Sequence, residues 1–450
     1  MFSIVWSDTT SGAMPLIVKC RSRNSIQLIQ HEISRISCST GELRTDSHAW
    51  EQRQLGESFN MLRNNTLSRA DLSNDRKGVL DIHYGDVLIR YRAVVDVSTL
   101  QGPSINITNN RFLGDRLTDG DIIMADTAED TSAGKCVEIE GIMHQNVVAG
   151  LHTIPLRPAT PSSHGYWGQY LNSASFRNQL FPKMQGTKVI SLSRTTVSNA
   201  TVRYPSLAEQ RRIGEFFTTL DNLIAAAERQ ETLLRQKKQA YLQLMFPQEG
   251  ETEPRLRFSG FIQNWRMHRM SEMVAPLNSI QQIMPDRDIE YRLWSVPSFQ
   301  LGVPENVRGS RIMSSKLVLE RDDILLSKIN PRIQRIWRVD SDGTLPDVGS
   351  TEWVVFRAKP SKASPLFLKA LLSSPLFYRY MVSTEKGATG SQKRADKTLL
   401  MSSCYWLPSL SEQQRIGAFF HLVDATLLTV QRNLAGLKEL KRAYLQRMFI

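Results

Sequence analysis

The sequence predicts a mixed α/β (α+β) chain in which two domains alternate with two long helices, and three observations carry that expectation. The stretch from Pro205 to Phe246 recurs from Pro408 to Phe449, offset by 203 positions, with about 20 of its 42 positions identical and no gap. Each copy has the spacing of one uninterrupted amphipathic helix. The segments preceding the copies carry short apolar runs bounded by turn residues, the pattern of strands.

At 450 residues the chain exceeds one ordinary core, so two domains of roughly 150 to 200 residues are expected. Apolar residues make up 41% and charged residues 22%, without a biased tract, which excludes extended disorder. The 56 Lys and Arg against 44 Asp and Glu leave +12, a balance suited to a polyanion such as nucleic acid. No apolar run reaches the roughly 20 residues needed to span a bilayer, and MFSIVWSDTTSGAMP lacks a basic start and apolar middle, so no membrane is expected and the cytoplasm is the expected location. Cys20, Cys38, Cys136 and Cys404 show no CxxC and no paired His, which argues against a zinc site or a disulfide framework.

Taken in order, residues 1–45 are an N-terminal extension to which the sequence assigns no role, and 46–204 form the first domain. Its runs DVLIRY and DIIMAD read as strands, as do DDILLSK and TEWVVFRA in the second domain, 265–407. WEQRQLGE at Trp50 echoes WRMHRMSE at Trp265, and LTDGDIIMADT echoes LERDDILLSKI, so the two domains read as diverged relatives. SPLFLKALLSSPLFYRYMV predicts one or two helices. The helix at 205–246 opens with the capping box Ser206-Leu-Ala-Glu209, and that at 408–450 with Ser409-Leu-Ser-Glu412. Between the first helix and the second domain, 247–264 is a polar linker rich in Pro and Gly.

Heptad spacing runs through Ile213, Leu220, Ala227, Leu234 and Tyr241, flanked by Phe216 and Phe217. The second copy repeats it in Ile416, Val423, Val430, Leu437 and Tyr444, flanked by Phe419 and Phe420. A helix of about 40 residues, roughly 60 Å long, cannot bury such a stripe alone. Its copy is the expected partner, giving an antiparallel coiled coil with pseudo-two-fold symmetry and a domain at each end. Duplex DNA has its own two-fold symmetry, so two diverged domains on a fixed spacer suit two unlike half-sites.

Candidate DNA-contacting residues are Arg90, Arg92, Arg111, Lys135 and Lys188 in the first domain. In the second they are Lys328, Arg332, Arg335, Arg338, Lys393 and Arg394. Arginine suits phosphate forks and guanine edges, lysine salt-sensitive phosphate binding. Gly186-Thr-Lys188 and Gly390-Ser-Gln-Lys-Arg394 are loops whose glycines let backbone amides approach an anion. Asp121, Asp126, Glu129 and Asp130 beside Lys135 have spacing that fits a metal site poorly. Ser132-Ala-Gly-Lys-Cys136 lacks the first glycine of a phosphate loop, and no methyltransferase phrase occurs. Catalysis and a resident metal are therefore not expected.

The chain resembles the specificity subunits of type I restriction-modification systems. The residues that carry the likeness are Pro205, Leu207, Glu209, Gln210, Ile213, Asp221, Tyr241, Leu242, Gln243 and Phe246, and in the second copy Pro408, Leu410, Glu412, Gln413, Ile416, Asp424, Tyr444, Leu445, Gln446 and Phe449. The resemblance implies two target recognition domains alternating with two conserved helices and no chemistry in this chain. It implies a bipartite, asymmetric double-stranded DNA site and docking to methyltransferase and translocase/nuclease subunits. No cofactor is implied for this chain, whereas the complex would use S-adenosylmethionine, ATP and Mg2+. From the residues alone, a non-catalytic coiled-coil scaffold joining two protein-binding domains stands as the alternative.

Overall fold

A computed structural model describes residues 50–73, 78–100, 102–105, 114–275, 280–282, 289–387 and 393–449. The extension 1–45, Cys20, Cys38, Arg111 and Gly390 to Gln392 lie outside the described residues. The chain is a mixed helix and strand fold that divides into two compact units, Met1–Glu228 with Asn433–Ile450, and Arg229–Arg432.

In the first unit a five-stranded sheet runs in the order Phe59–Met61, Thr153–Pro158, Ile122–Ala125, Cys136–Glu140, Val94–Asp96. The last pair is parallel and the rest antiparallel. Its central strands read IIMA and CVEIE, and burial on both faces explains why they do not alternate strictly. Beside it, Val79–Ile82 pairs in parallel with Val147–Ala149. DVLIRY does not form a strand: Tyr84–Ile89 is a helix, capped by His83, whose Nδ1 accepts from the Gly85 N–H. Asp86 in its first turn accepts from Arg90 four residues on, an i,i+4 pair that favours the helix. A run of six residues cannot distinguish a strand from one and a half helical turns, and the cap decides here.

The second unit repeats these neighbours. A four-stranded sheet runs Val274–Ala275, Trp353–Ala358, Ile324–Ser327, Ile336–Arg338. Glu290–Trp294 pairs in parallel with Asp347–Gly349. SPLFLKALLSSPLFYRYMV forms two helices, Pro365–Leu372 and Pro375–Ser383, each with proline in its first turn. One ion pair recurs at the edge of each main sheet, Arg157 on buried Asp121 at 2.7 Å and Arg357 on buried Asp323 at 2.7 Å. Asp121 is thus engaged by arginine, and Asp130 accepts from the Ser132 N–H, so these two acids serve local structure.

The long helices span Leu207–Leu244 and Leu410–Met448. Ser206 Oγ accepts from the Glu209 N–H and Ser409 Oγ from the Glu412 N–H. The Glu412 carboxylate does not turn back to close a capping box. It takes a fork from linker residue Arg257, with N–O distances of 3.0 and 2.9 Å. The next residue carries the docking of each unit onto its helix. Gln210 Oε1 accepts from the Ser163 N–H while its Nε2 donates to the Pro205 carbonyl. Gln413 does the same with the Ser364 N–H and the Pro408 carbonyl. One turn on, Gly214 and Gly417 let the backbone of the domain touch the helix: a Cβ would lie 2.2 Å from the His164 carbonyl oxygen and 2.6 Å from the Phe367 nitrogen.

The paired phenylalanines separate. Phe217 enters the first unit's core and stacks on Phe449 at 5.7 Å, while Phe216 meets Tyr444 edge-on at 4.8 Å. In the second unit Phe420 and Phe246 share the core at 6.2 Å, and Phe419 meets Tyr241 at 5.1 Å. Within the first unit Leu220, Ile224 and Ala227 pack with Leu434 and Leu437, and Phe216 meets Tyr444, Asp221 Lys441 and Glu228 Lys438, so the two helix segments run antiparallel there. Ile213 and Ile416 belong to the unit cores, Leu234 is buried, and Val423 is half-buried. Each fully buried phenylalanine contributes about 2–3 kcal/mol by area.

Alanine at Gly214 or Gly417 should therefore lower the melting temperature by several degrees, a loss of about 1–3 kcal/mol from overpacking. At Gly436, in the second long helix, an added methyl would meet nothing within 4 Å, so Gly436→Ala should leave stability unchanged or raise it by up to about 1 kcal/mol. Thermal unfolding of the three variants decides this.

Asp81 supplies a pH test of the first unit. It is fully buried, its Oδ2 accepts from Asn65 at 2.6 Å, and its Oδ1 has no partner. Burial pushes its carboxyl up to about 6, against the opposing hydrogen bond from Asn65. The folded state thus disfavours the ionised form; the penalty is absent below about pH 4 and complete above about pH 6. Asp81→Asn should stabilise by up to about 3 kcal/mol at pH 8, about two pKa units' worth, and the gain should vanish at pH 4. Denaturant unfolding at the two pH values measures it.

Candidate nucleic-acid interface

In the second unit the basic residues gather where the hairpin between Ile324–Ser327 and Ile336–Arg338 meets the strands Glu385–Lys386 and Arg394–Ala395. The Ala395 N–H donates to the Lys328 carbonyl and the Asn330 N–H to the Lys393 carbonyl, with an isolated bridge joining Ile329 and Arg394. These bonds bring Lys328, Arg332, Arg335, Lys393 and Arg394 to one end of the unit.

Glu385 organises that end. Its carboxylate, only 7% exposed, pairs with Lys393 at 2.7 Å and Arg332 at 3.1 Å, and Lys393 and then Arg332 hold it below the usual carboxylate range. Arg394 rests on Glu352, and Lys386 on Asp396. With Lys328 and Arg335 included, the hairpin loop and neighbouring strands set six cations against three carboxylates. Arg332, with its side chain 65% exposed, can reach a phosphate without giving up Glu385. Arg338 is directed elsewhere, onto Asp322 at 2.7 Å. Trp337 packs edge-on against Trp294 at 4.5 Å and belongs to the core beneath.

The corresponding hairpin in the first unit joins Ile122–Ala125 to Cys136–Glu140, and Thr127–Ala128 in its loop pairs with Ile190–Ser191. Lys188 is exposed in the turn just before Ile190, closed by reciprocal bonds between Gln185 and Ser191. Gly186 is required there, with φ +108° and a would-be Cβ 1.9 Å from the Val189 carbonyl oxygen. Lys135 donates to the Leu88 carbonyl at 2.6 Å, and burial lowers its pKa. Arg90 is exposed and shares Asp86 with Arg69. Arg92 is turned inward, pairing with Glu228 at 2.6 Å and donating to the Asp221 carbonyl of the long helix.

Two organising residues have no signal in the sequence. Glu385 is an isolated acid in a basic stretch, and Arg177 fastens the first hairpin loop through the Thr131 and Ala133 carbonyls. What the arrangement offers in the second unit is a cationic loop edge on the main sheet; in the first the loop carries Asp126, Glu129 and Asp130 beside Lys135 and Lys188, and His152 Nδ1 lies 3.5 Å from Thr127 Oγ1 and 3.6 Å from Asp126. Among the described residues no group of three His, Cys, Asp or Glu side chains converges as a metal site, and no described helix is long and apolar enough to cross a membrane.

No family model matches the chain. In sequence it is similar to the type I restriction enzyme StySPI specificity subunit of Salmonella potsdam, 22% identical over 65% of this chain and 66% of that protein. It is also similar to the putative type I restriction enzyme MjaX specificity subunit of Methanocaldococcus jannaschii, 23% identical over 46% of this chain and 47% of that protein. The matches thus span just under two thirds of the first relative and about half of the second. In fold it matches the crystal structure of the type I restriction-modification S subunit from M. genitalium, with a TM-score of 0.56 and 12% identity, over 90% of this chain and 98% of that one.

Proposed function

We propose that this chain, a relative in sequence and fold of type I restriction-modification specificity subunits, is the DNA sequence-recognition subunit of such a complex. It performs no chemistry itself. Residues 46–204 and 265–407 act as two target recognition domains, and 205–246 and 408–450 as the helices that space them. The long helices pair as an antiparallel coiled coil of pseudo-two-fold symmetry, and the unlike domains read the two halves of a bipartite, asymmetric duplex site. The complex adds methyltransferase subunits that use S-adenosylmethionine and translocase/nuclease subunits that use ATP and Mg2+.

One observation carries this reading: the helix contacts are reciprocal. Phe217 with Phe449 is matched by Phe420 with Phe246, Phe216 with Tyr444 by Phe419 with Tyr241, and Asp221 with Lys441 by Asp424 with Lys238. Each residue pairs with the 203-offset copy of its counterpart's partner. Such reciprocity supports an isologous pairing of the two repeat copies within one chain. The cationic hairpin end of the second unit supports duplex DNA as the ligand.

Mapping methylated adenines with and without the chain should yield one split motif that disappears in its absence. On a duplex bearing that motif, Arg332→Ala with Lys393→Ala should weaken binding and reduce the slope of log affinity against log salt by about two, one for each phosphate no longer neutralised. An unchanged slope would remove this edge from the DNA face; binding with no salt dependence in the parent chain would favour a protein-binding scaffold.

A further inference from the structure

In each unit a carboxylate near the middle of a long helix, Asp221 or Asp424, is shared by two other elements, and in the first unit Glu228 is a second, between Arg92 of the domain and Lys438 of the other long helix. Asp221 accepts from Lys441 of the second helix at 2.7 and 2.9 Å and from Gln169 of the short helix Tyr166–Tyr170 at 2.8 Å. Asp424 pairs with Lys238 of the first helix at 2.7 Å and with Lys369 of the helix Pro365–Leu372 at 2.7 Å. Asp221 and Asp424 are 203-offset copies, as are Lys238 and Lys441. The third member differs, glutamine in one unit and lysine in the other.

The remaining contacts between domain and helix combine apolar packing, through Phe217 and Phe420 and their neighbours, with the hydrogen bonds of Gln210 and Gln413 at the helix starts and, in the first unit, Arg92 on Glu228; the apolar part is non-directional. A short, charge-assisted bond has a preferred distance and angle. A carboxylate bonded to both a domain helix and the opposite long helix resists rotation of the domain about the helix axis, which apolar packing alone tolerates. Both groups are largely withdrawn from water, with side-chain exposures of 15% for Asp221 and 22% for Asp424, so screening weakens them less than surface pairs. Burial pushes Asp424 upward, but Lys369 and Lys238 outweigh it and hold its carboxyl below the ordinary value.

We infer that Asp221 and Asp424 are positioning residues that fix the rotational setting of each recognition domain on its helix pair, and so the accepted spacing of the split site rather than the bases read. The inference rests on the proposed DNA-recognition role. Edge-on hydrogen bonding to bases tolerates displacements well below the rise of one base pair, so a domain freed to rotate should reach half-sites one base pair out of place.

The test uses the chain assembled with its methyltransferase subunits and a plasmid library with half-sites at the mapped spacing and one base pair either side. Asp424→Asn and Asp221→Asn should keep the half-site sequences but raise methylation at the off-by-one spacings at least tenfold relative to the mapped spacing. Lys369→Gln, which installs the side chain the first unit already uses, should retain the parent spacing profile. Equal loss at all three spacings, or an unchanged profile in both Asp variants, overturns the inference. If the parent complex methylates no split site, the recognition role itself falls and the inference with it.

Discussion

Everything in each unit is arranged around a long helix that cannot bury its own apolar stripe. Isolated, such a helix exposes a seam along its length, and its propensity offsets little of that cost. The solution visible in both units is an aromatic exchange. A phenylalanine near the start of one repeat copy, Phe217 or Phe420, meets the phenylalanine that closes the other, Phe449 or Phe246, inside the unit's core. The helix ends are thereby part of the domain cores and cannot fray without opening them.

The opening phrase of the repeat then has a residue-by-residue explanation. Serine caps the first turn, and glutamine satisfies a domain amide with its carbonyl while its amide holds the turn's own carbonyl. Isoleucine fills the core, and glycine removes the one methyl that would hold the domain backbone off. Buried amide side chains bonded on both ends leave no orphaned polar group, which is why a polar residue at 3–4% exposure is stable here.

The helices are legible in the sequence because the offset repeat and heptad spacing both survive without knowledge of the fold. The division of labour within Phe216-Phe217 is not, since adjacent helical residues point about 100° apart and the heptad alone does not say which faces a domain and which the opposite helix. DVLIRY misleads for a related reason: the cap that makes it helical is a histidine, outside the usual Ser, Thr, Asp and Asn. Among the basic residues, sequence gives charge but not partners. Arg92 is drawn to Glu228, 136 positions away, while Arg332 and Lys393 are drawn together by Glu385. Only tertiary structure brings those carboxylates near.

The two copies can also be compared with each other inside this one chain. Residues identical across the 203 offset, such as Gln210 and Gln413, Gly214 and Gly417, Phe217 and Phe420, Asp221 and Asp424, and Lys238 and Lys441, lie where domain meets helix or helix meets helix. The hairpin ends do not match: Lys135 is bonded to a carbonyl in one unit, whereas Arg332 and Lys393 share a carboxylate in the other. A mount must present its domain at a fixed setting whatever the domain reads, so its residues are held to one solution. The hairpin ends face no such requirement, and two unlike ends on two like mounts are what the proposed reading of two unlike half-sites would demand.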